Sequence, residues 1–432
     1  MQNRGFKGRL AALLCLLLLT AGGCASGKLQ LARQSFYDGR LDYAAQVLED
    51  EAEVSRRDRL LYFMEKGVIL HHQKDYARSI RMLRQAADLI DRQEVISASR
   101  QTGSLVTSER LTNYKGEYAE RLWVHTYLMM NYLLSHDPEG ALVEAKQALE
   151  VFDTHPDALD GAYFTRALIA HCFEANDEVN GAYIEYKKLA RALDDPAPVA
   201  DRLVMLARRL GFSDEAAKYE KHLSPAQRRA IVKGPGPELI LFVSQGRSPV
   251  KIPQNIVVPP SIRFSFATYK ERTRAYQTPV IYGACGKMDG LRVKTDLAHV
   301  LRASLKERAA RIIAKETARV AAKEAISQNI DDAFLESLVR AAFFLLEEPD
   351  TRSWQTLPAY WALIRIPFSP KTKQVPALTI RDSGRAIKLP AFQIMRQYTY
   401  FTIREGAAVM GGQERSAEET AESPESGQPA GH

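Results

Sequence analysis

The chain has 432 residues, 46% hydrophobic and 26% charged, an ordinary globular composition long enough for two or three cores. These proportions exclude a collagen-like, a largely disordered or a small disulfide-stapled protein, and a single long apolar run at residues 10–21 excludes a polytopic membrane protein. The net charge of +7 is unevenly spread: residues 24–227 carry 26 basic and 32 acidic side chains, whereas residues 228–405 carry 29 and 15, an asymmetry that points to separate domains and to an anionic counterpart for the second.

Residues 1–23 read as a secretory signal peptide. Arg4, Lys7 and Arg9 form a basic start, a Leu/Ala run follows, and Ala21-Gly22-Gly23 leads into Cys24. The apolar run is too short to span a bilayer comfortably and is followed by small residues rather than a basic stop signal. The Gly-Gly-Cys ending resembles a bacterial lipobox, although Ala21 stands where leucine is usual. That resemblance implies that Cys24 becomes the first mature residue and is acylated, with residues 24–30 as a lipidated tether. Ala25 after the cysteine resembles an outer-membrane sorting signal, so the expected place is the periplasmic face of the bacterial outer membrane. Several acyl chains at about 0.8 kcal/mol per buried CH₂ make such an anchor effectively permanent. Nucleic acid and ATP are absent from that compartment, so no nucleic-acid partner is expected despite the basic half. Cys172 and Cys285 remain downstream; two buried free thiols are preferred over a disulfide between domains.

From residue 31 to 227 helical periods dominate, and similarity recurs at repeat length. Asp42-Tyr43-Ala44 is echoed by Asp75-Tyr76-Ala77. The clearest unit covers residues 60–89, with Gly67 where two helices must approach and Ser79, Leu83 and Ala86 on the packing face. Further units carry Tyr132, Ala141, Ala145 and Ala148; then Phe173, Ala182, Tyr186 and Leu189; then Ala207, Ala216 and Tyr219 in a terminal cap. Residues 92–115 depart from the period and read as an inserted Ser/Thr-rich loop. The repetition resembles the tetratricopeptide repeat (TPR), which implies a curved solenoid whose concave groove holds a peptide or helix of a partner. His71, His72, His125 and His171, with Glu174, fall near the first-helix face lining such a groove. They lack metal-ligand spacing and read as ordinary surface or half-buried histidines.

Lys233-Gly234-Pro235-Gly236-Pro237 breaks any helix, so residues 228–237 read as a linker. Residues 238–244 read as a buried strand and 261–269 as a half-buried one, with a Pro-rich extended loop between them. Short strands are expected at 279–282 and 291–294, a long Ala-rich helix over 296–328, a second helix over 331–346, and late strands near 359–366, 377–380 and 397–404. Strands flanking a helical pair suggest an α+β domain over 238–405 in which the late strands rejoin the early sheet. The fold class expected is therefore an α-helical TPR-like solenoid followed by an α+β domain. In the long helix Arg311, Lys315, Arg319 and Lys323 stand four apart on one face, extended by Arg308 and Arg302; this stripe is the candidate contact for an anionic partner, though pairs such as Glu307 with Arg311 also serve to solvate a helix. Asp350-Thr351-Arg352-Ser353-Trp354 reads as a structural corner, Arg352 clasping a carboxylate while Trp354 packs. Residues 406–432 are Glu/Ser/Gly/Pro-rich and are expected to stay disordered.

Lipobox, repeats, inserted loop and the DTRSW-x-x-LP segment together resemble an uncharacterised family of Gram-negative TPR-containing lipoproteins. That resemblance implies architecture and address, and a weak link to cell-wall assembly, but no activity. The chain has no GxSxG elbow, P-loop, GxGxxG, HExxH or paired CxxC, so no enzyme, catalytic residue, metal or cofactor is expected. The expected function is an outer-membrane-anchored scaffold: Cys24 in the membrane, the TPR groove on an envelope protein, the basic domain on an anionic partner. The alternative is a module binding anionic glycan, lipopolysaccharide or lipid through the basic domain, with the repeats as a spacer.

Overall fold

The computed structural model describes residues 26–99, 113–258, 262–273, 276–284, 286–288, 290–308, 349–382 and 385–405. Cys24, Cys285, Arg311, Lys315, Arg319, Lys323 and the helix expected over 331–346 lie outside the described residues.

The first half is a run of helical hairpins: α1 Ser26–Tyr37 with α2 Leu41–Val47, α3 Arg59–His72 with α4 Tyr76–Ser99, α5 Tyr118–Leu134 with α6 Pro138–Thr154, α7 Tyr163–Ala175 with α8 Val179–Ala192, and α9 Ala197–Arg209 with α10 Ser213–Glu220. A single helix, α11 Pro225–Lys233, follows. Each hairpin turns through one residue of positive φ: Gly39, Lys74, His136, Asp177 and Gly211. The next residue's amide closes a six-residue loop every time: Arg40 to Ser35, Asp75 to Leu70, Asp137 to Tyr132, Glu178 to Phe173 and Phe212 to Ala207. This is the Schellman termination, which satisfies the last carbonyls of the first helix. Its fivefold recurrence defines the repeat better than side-chain identity does, because only two of the five left-handed positions are glycine. Gly67 is where the close approach was expected: a Cβ there would lie 2.6 Å from Leu83 Cγ.

Two sequence boundaries shift. Helix α4 continues to Ser99, beyond the start of the loop expected at 92. Helix α11 is capped by a Ser224–Gln227 capping box and starts on a proline, features that favour a helix start; it takes up most of the expected 228–237 linker and leaves residues 234–237 as the break.

Among the described residues the second half has twelve strands. Strands β1 Glu238–Gln245, β6 Leu291–Asp296, β7 Tyr360–Pro367 and β12 Tyr398–Glu405 form one sheet in the order β12-β1-β7-β6. The late strands do rejoin the early one: β12 pairs with β1 in parallel and β7 with β1 antiparallel. A second sheet runs β10-β9-β4-β5, from β4 Val280–Gly283, β5 Gly286–Met288, β9 Leu378–Asp382 and β10 Arg385–Leu389. Strands β8 Gln374–Val375 and β11 Phe392–Gln393 form a short pair. The Pro-rich stretch read as loop is strand β2 Val250–Val258, paired with β3 Ile262–Lys270. Pro253 is tolerated because this ribbon has only two strands and each proline can face an open edge.

The halves are stacked in three layers: repeats, first sheet, second sheet. Alternate residues of β1 explain this. Ile240 and Phe242 join the core of the repeats, together with Trp361, Leu363 and Val293. Leu239, Leu241 and Val243 join a second core with Ile281, Ile380, Ile387 and Ile403. The first sheet is covered on both faces, which is why residues 238–244 read as an unbroken apolar run rather than an alternating one. The two halves separated by charge in the sequence thus share a core.

Candidate functional site: the occupied inner face of the repeats

The first helices of the hairpins turn their inner faces to the first sheet, and these faces carry His71, His72, His171 and Glu174, which were expected to line a groove; His125 instead meets Glu144 of α6 at 2.8 Å. The groove is filled by the chain itself. Strand β12 lies along it. Tyr398 donates to Glu174 (3.3 Å), and Tyr400 meets His171 Nε2 at 2.9 Å. Thr402 meets His71 Nε2 at 3.1 Å, and Arg404 Nη1 lies 3.4 Å from His72 Nε2, its guanidinium 4.6 Å from the Phe36 ring centre. Alternation sends these four residues to the repeats and Phe401 and Ile403 to the second core. One strand thus crosses α7, α3 and α1 in turn.

His71 sits in a directed chain: Ser79 donates to the Gly67 carbonyl, Asn131 Nδ2 donates to Ser79 (2.8 Å), and Asn131 Oδ1 accepts from His71 Nδ1 (2.6 Å). His71 Nε2 therefore accepts from Thr402. Burial holds its pKa down to about 4, and burial beside His71 and Arg404 holds His72 well below its ordinary value. Both rings are neutral acceptors, not half-exposed surface groups.

Where α7 and α9 meet β1 and β7, four buried charges form a closed ring. Arg365 reaches Glu174 (3.0 Å) and Glu238 (2.8 Å); Arg202 reaches the same two carboxylates at 3.0 and 2.8 Å. Tyr186 donates to Glu174 at 2.9 Å. Burial alone would push both carboxyls up, but Arg365 and Arg202 outweigh it and hold Glu174 well below the usual range and Glu238 below it.

Glu65 and Glu120 receive the backbone of the loop before β7. Glu65 accepts from Arg33 (2.7 Å) and from the amides of Gln355 (2.9 Å) and Thr356 (3.2 Å); Glu120 accepts from the Trp354 amide (2.7 Å) and from Tyr114. Arg352 binds Asp350 (2.8 Å) and Asp58 (3.0 Å) while Trp354 is buried, so the expected corner is present. Arg308, from the candidate basic stripe, is held at 2.6 Å from Glu117, which also binds Lys251 at 2.6 Å. Burial opposes the charge of Glu117, but these two cations bring its pKa to about 2, while burial raises that of Glu120. Acids split in this way can serve acid–base catalysis, but both are nearly fully buried; here they clamp the halves together. Cys172 is a buried free thiol. Among the described residues no group of three or more ligating side chains could hold a metal, and no helix is long and apolar enough to cross a membrane.

The hairpins form a TPR-like helical repeat fold over about half the chain, followed by strands in small sheets. No protein-family model matches the sequence, and no curated protein matches it. Among solved structures it is similar to MamA from residue 41 onward of Desulfovibrio magneticus RS-1, at 13% identity over 49% of this chain and 98% of that one, with a TM-score of 0.33. It is similar to PilF of Pseudomonas aeruginosa at 18% identity over 54% and 87%, TM-score 0.33. It also resembles a kinesin light chain of Podosopora anserina with nearly identical TPR-like repeats, at 15% identity over 48% and 96%, TM-score 0.32. Scores at this level transfer no partner or activity.

Proposed function

We propose that this protein is a lipid-anchored interaction scaffold on the periplasmic face of the bacterial outer membrane, in which the repeats brace a basic sheet module that meets an anionic envelope partner. The observation that carries the reading is the filled inner face. The repeats alone predict a groove open to a partner peptide; the side chains that would recognise one are instead spent on β12 and on the loop before β7. A guest would have to displace a strand paired along its whole length with β1. The repeats therefore act as a rigid support, and partners meet outer surfaces, which favours the basic-domain reading over the peptide-groove one. Acylation of Cys24 holds the assembly at the membrane and raises the local concentration of whatever it binds.

The test is in-cell photo-crosslinking of the full-length, tagged protein. Crosslinkers go at exposed Val143 and Ile184 on the repeats and Tyr282 on the second sheet, with buried Tyr127 as the inner-face control. Adducts at the outer positions and none at Tyr127 are expected, with loss of membrane fractionation on Cys24→Ser. A partner captured only at Tyr127 refutes the filled-groove reading; unchanged membrane association of the serine variant refutes the anchor.

A further inference from the structure

The second sheet buries one face against the first and leaves the other open. Its inward row is Ile387, Ile380, Ile281 and Met288 in register. Its outward row, read across the strands in the same order, is Lys388, Thr379, Tyr282 and Lys287, and the neighbouring outward row brings Arg381 opposite Val280 and Ala386. Lys388, Lys287 and Arg381 are exposed. Tyr282 is 36% exposed, with the Arg381 guanidinium 5.2 Å from its ring centre. Among the described residues these rows contain three cations and no carboxylate.

We propose that this outward face is a binding site for an acidic polysaccharide, laid across the strands along Lys388, Thr379, Tyr282 and Lys287. Adjacent strands lie about 4.8 Å apart, a spacing close to one sugar ring, so the row offers cation, hydroxyl, aromatic ring and cation to successive units of one polymer. Tyr282 supplies a flat apolar platform with a polar tip; the flanking cations supply charge complementarity to carboxylate or sulfate groups. The rows carry no exposed leucine, isoleucine or methionine to insert into a bilayer, which favours a glycan over a lipid surface. The inference rests on the proposed basic-module function and names its ligand class.

The experiment uses the full chain in detergent and measures binding to alginate oligomers as the polyuronate probe, neutral dextran, and phosphatidylglycerol vesicles. Saturable binding to alginate is expected, weakening steeply with added salt as exposed charges are screened, and little binding to dextran. Lys287→Ser, Arg381→Ser and Lys388→Ser combined should lower alginate affinity by about tenfold or more, the loss of three exposed attractions, and Tyr282→Ala should lower it with the charge intact. Because all four side chains are exposed, melting temperature should hold in both variants. No alginate binding, equal binding to dextran, an unaffected triple variant, or vesicle binding that the triple variant loses and alginate does not compete overturns the proposal. Retained in-cell adducts at Val143 alongside any of these results would reject the glycan ligand while leaving the scaffold reading standing.

Discussion

Replacing Arg365 with methionine tests the joint between the repeats and the first sheet. The substitution keeps much of the stem volume and removes the guanidinium that binds Glu174 at 3.0 Å and Glu238 at 2.8 Å. Two buried carboxylates, with Asp201 beside them at 3.0 Å from Arg202, would then share that single arginine. Breaking a buried pair costs roughly 3–5 kcal/mol because the surviving charge is uncompensated. The expected result is a loss of that order in urea denaturation of the full chain. Adding Glu238→Met should recover part of the loss, since the members of one network couple by roughly 0.5–3 kcal/mol. Far-ultraviolet dichroism follows the helices, and tryptophan fluorescence follows the joint, where Trp123 stacks on Trp361 with ring centres 5.5 Å apart. The two transitions should coincide, as in a cooperative two-state unit. A cost below about 1 kcal/mol, the worth of an exposed pair, would refute the reasoning. So would a helical transition that survives after the tryptophan signal is lost.

Other expected outcomes follow from the same geometry. His71 is neutral in the fold with its pKa near 4 against an ordinary value of about 6.5; its contribution is complete above the higher value and is lost as pH falls through the lower, a change of roughly 3 kcal/mol that His71→Gln should flatten in pH-dependent melts. Glu117, held near 2 by Lys251 and Arg308 against burial, contributes roughly 3 kcal/mol above the ordinary carboxylate pKa, lost as pH falls through 2; Glu117→Gln should destabilise at neutral pH and remove that part of the acid slope. Lys74→Gly and Asp177→Gly should each stabilise by about 1 kcal/mol by relieving a left-handed residue, whereas Gly39→Ala should destabilise by a similar amount, all read by chemical denaturation. Trp361→Ala should cost about 3–5 kcal/mol and lower both optical signals together.

The hairpins were legible because their packing positions recur locally: Gly67 against Leu83, and the small residues of α4, α6 and α8, follow from helix periodicity. The corner at Asp350–Trp354 was also legible, since its partners lie two residues apart in the chain. What filled the groove was not. Tyr398, Tyr400, Thr402 and Arg404 alternate as any half-buried strand does, and nothing in that alternation says that one face meets helices some two hundred to three hundred residues earlier. Glu65 and Glu120 gave no signal because their partners are backbone amides remote in sequence, and Glu174 read only as a residue near the groove face because its arginine partners lie elsewhere in the chain. A usable signal did exist in β1: an unbroken apolar run between polar flanks demands cover on both faces, and the repeats were the nearest element able to supply one. Arg308 likewise read as part of an outward stripe on spacing alone, while its partner Glu117 caps the start of α5.

The position of β12 has a consequence for how the protein is made. Residues 398–405 are synthesised long after the repeats, yet they supply the partners of His71, His171 and Glu174 and the edge that completes the first sheet. A chain cut short before residue 398 would leave these buried polar side chains without their β12 partners, and a sheet edge unpaired beside them. The native state therefore registers whether synthesis has passed residue 405: a copy stopped before β12 keeps the repeats but exposes their inner face and an open sheet edge, the features by which unfinished chains are recognised and degraded.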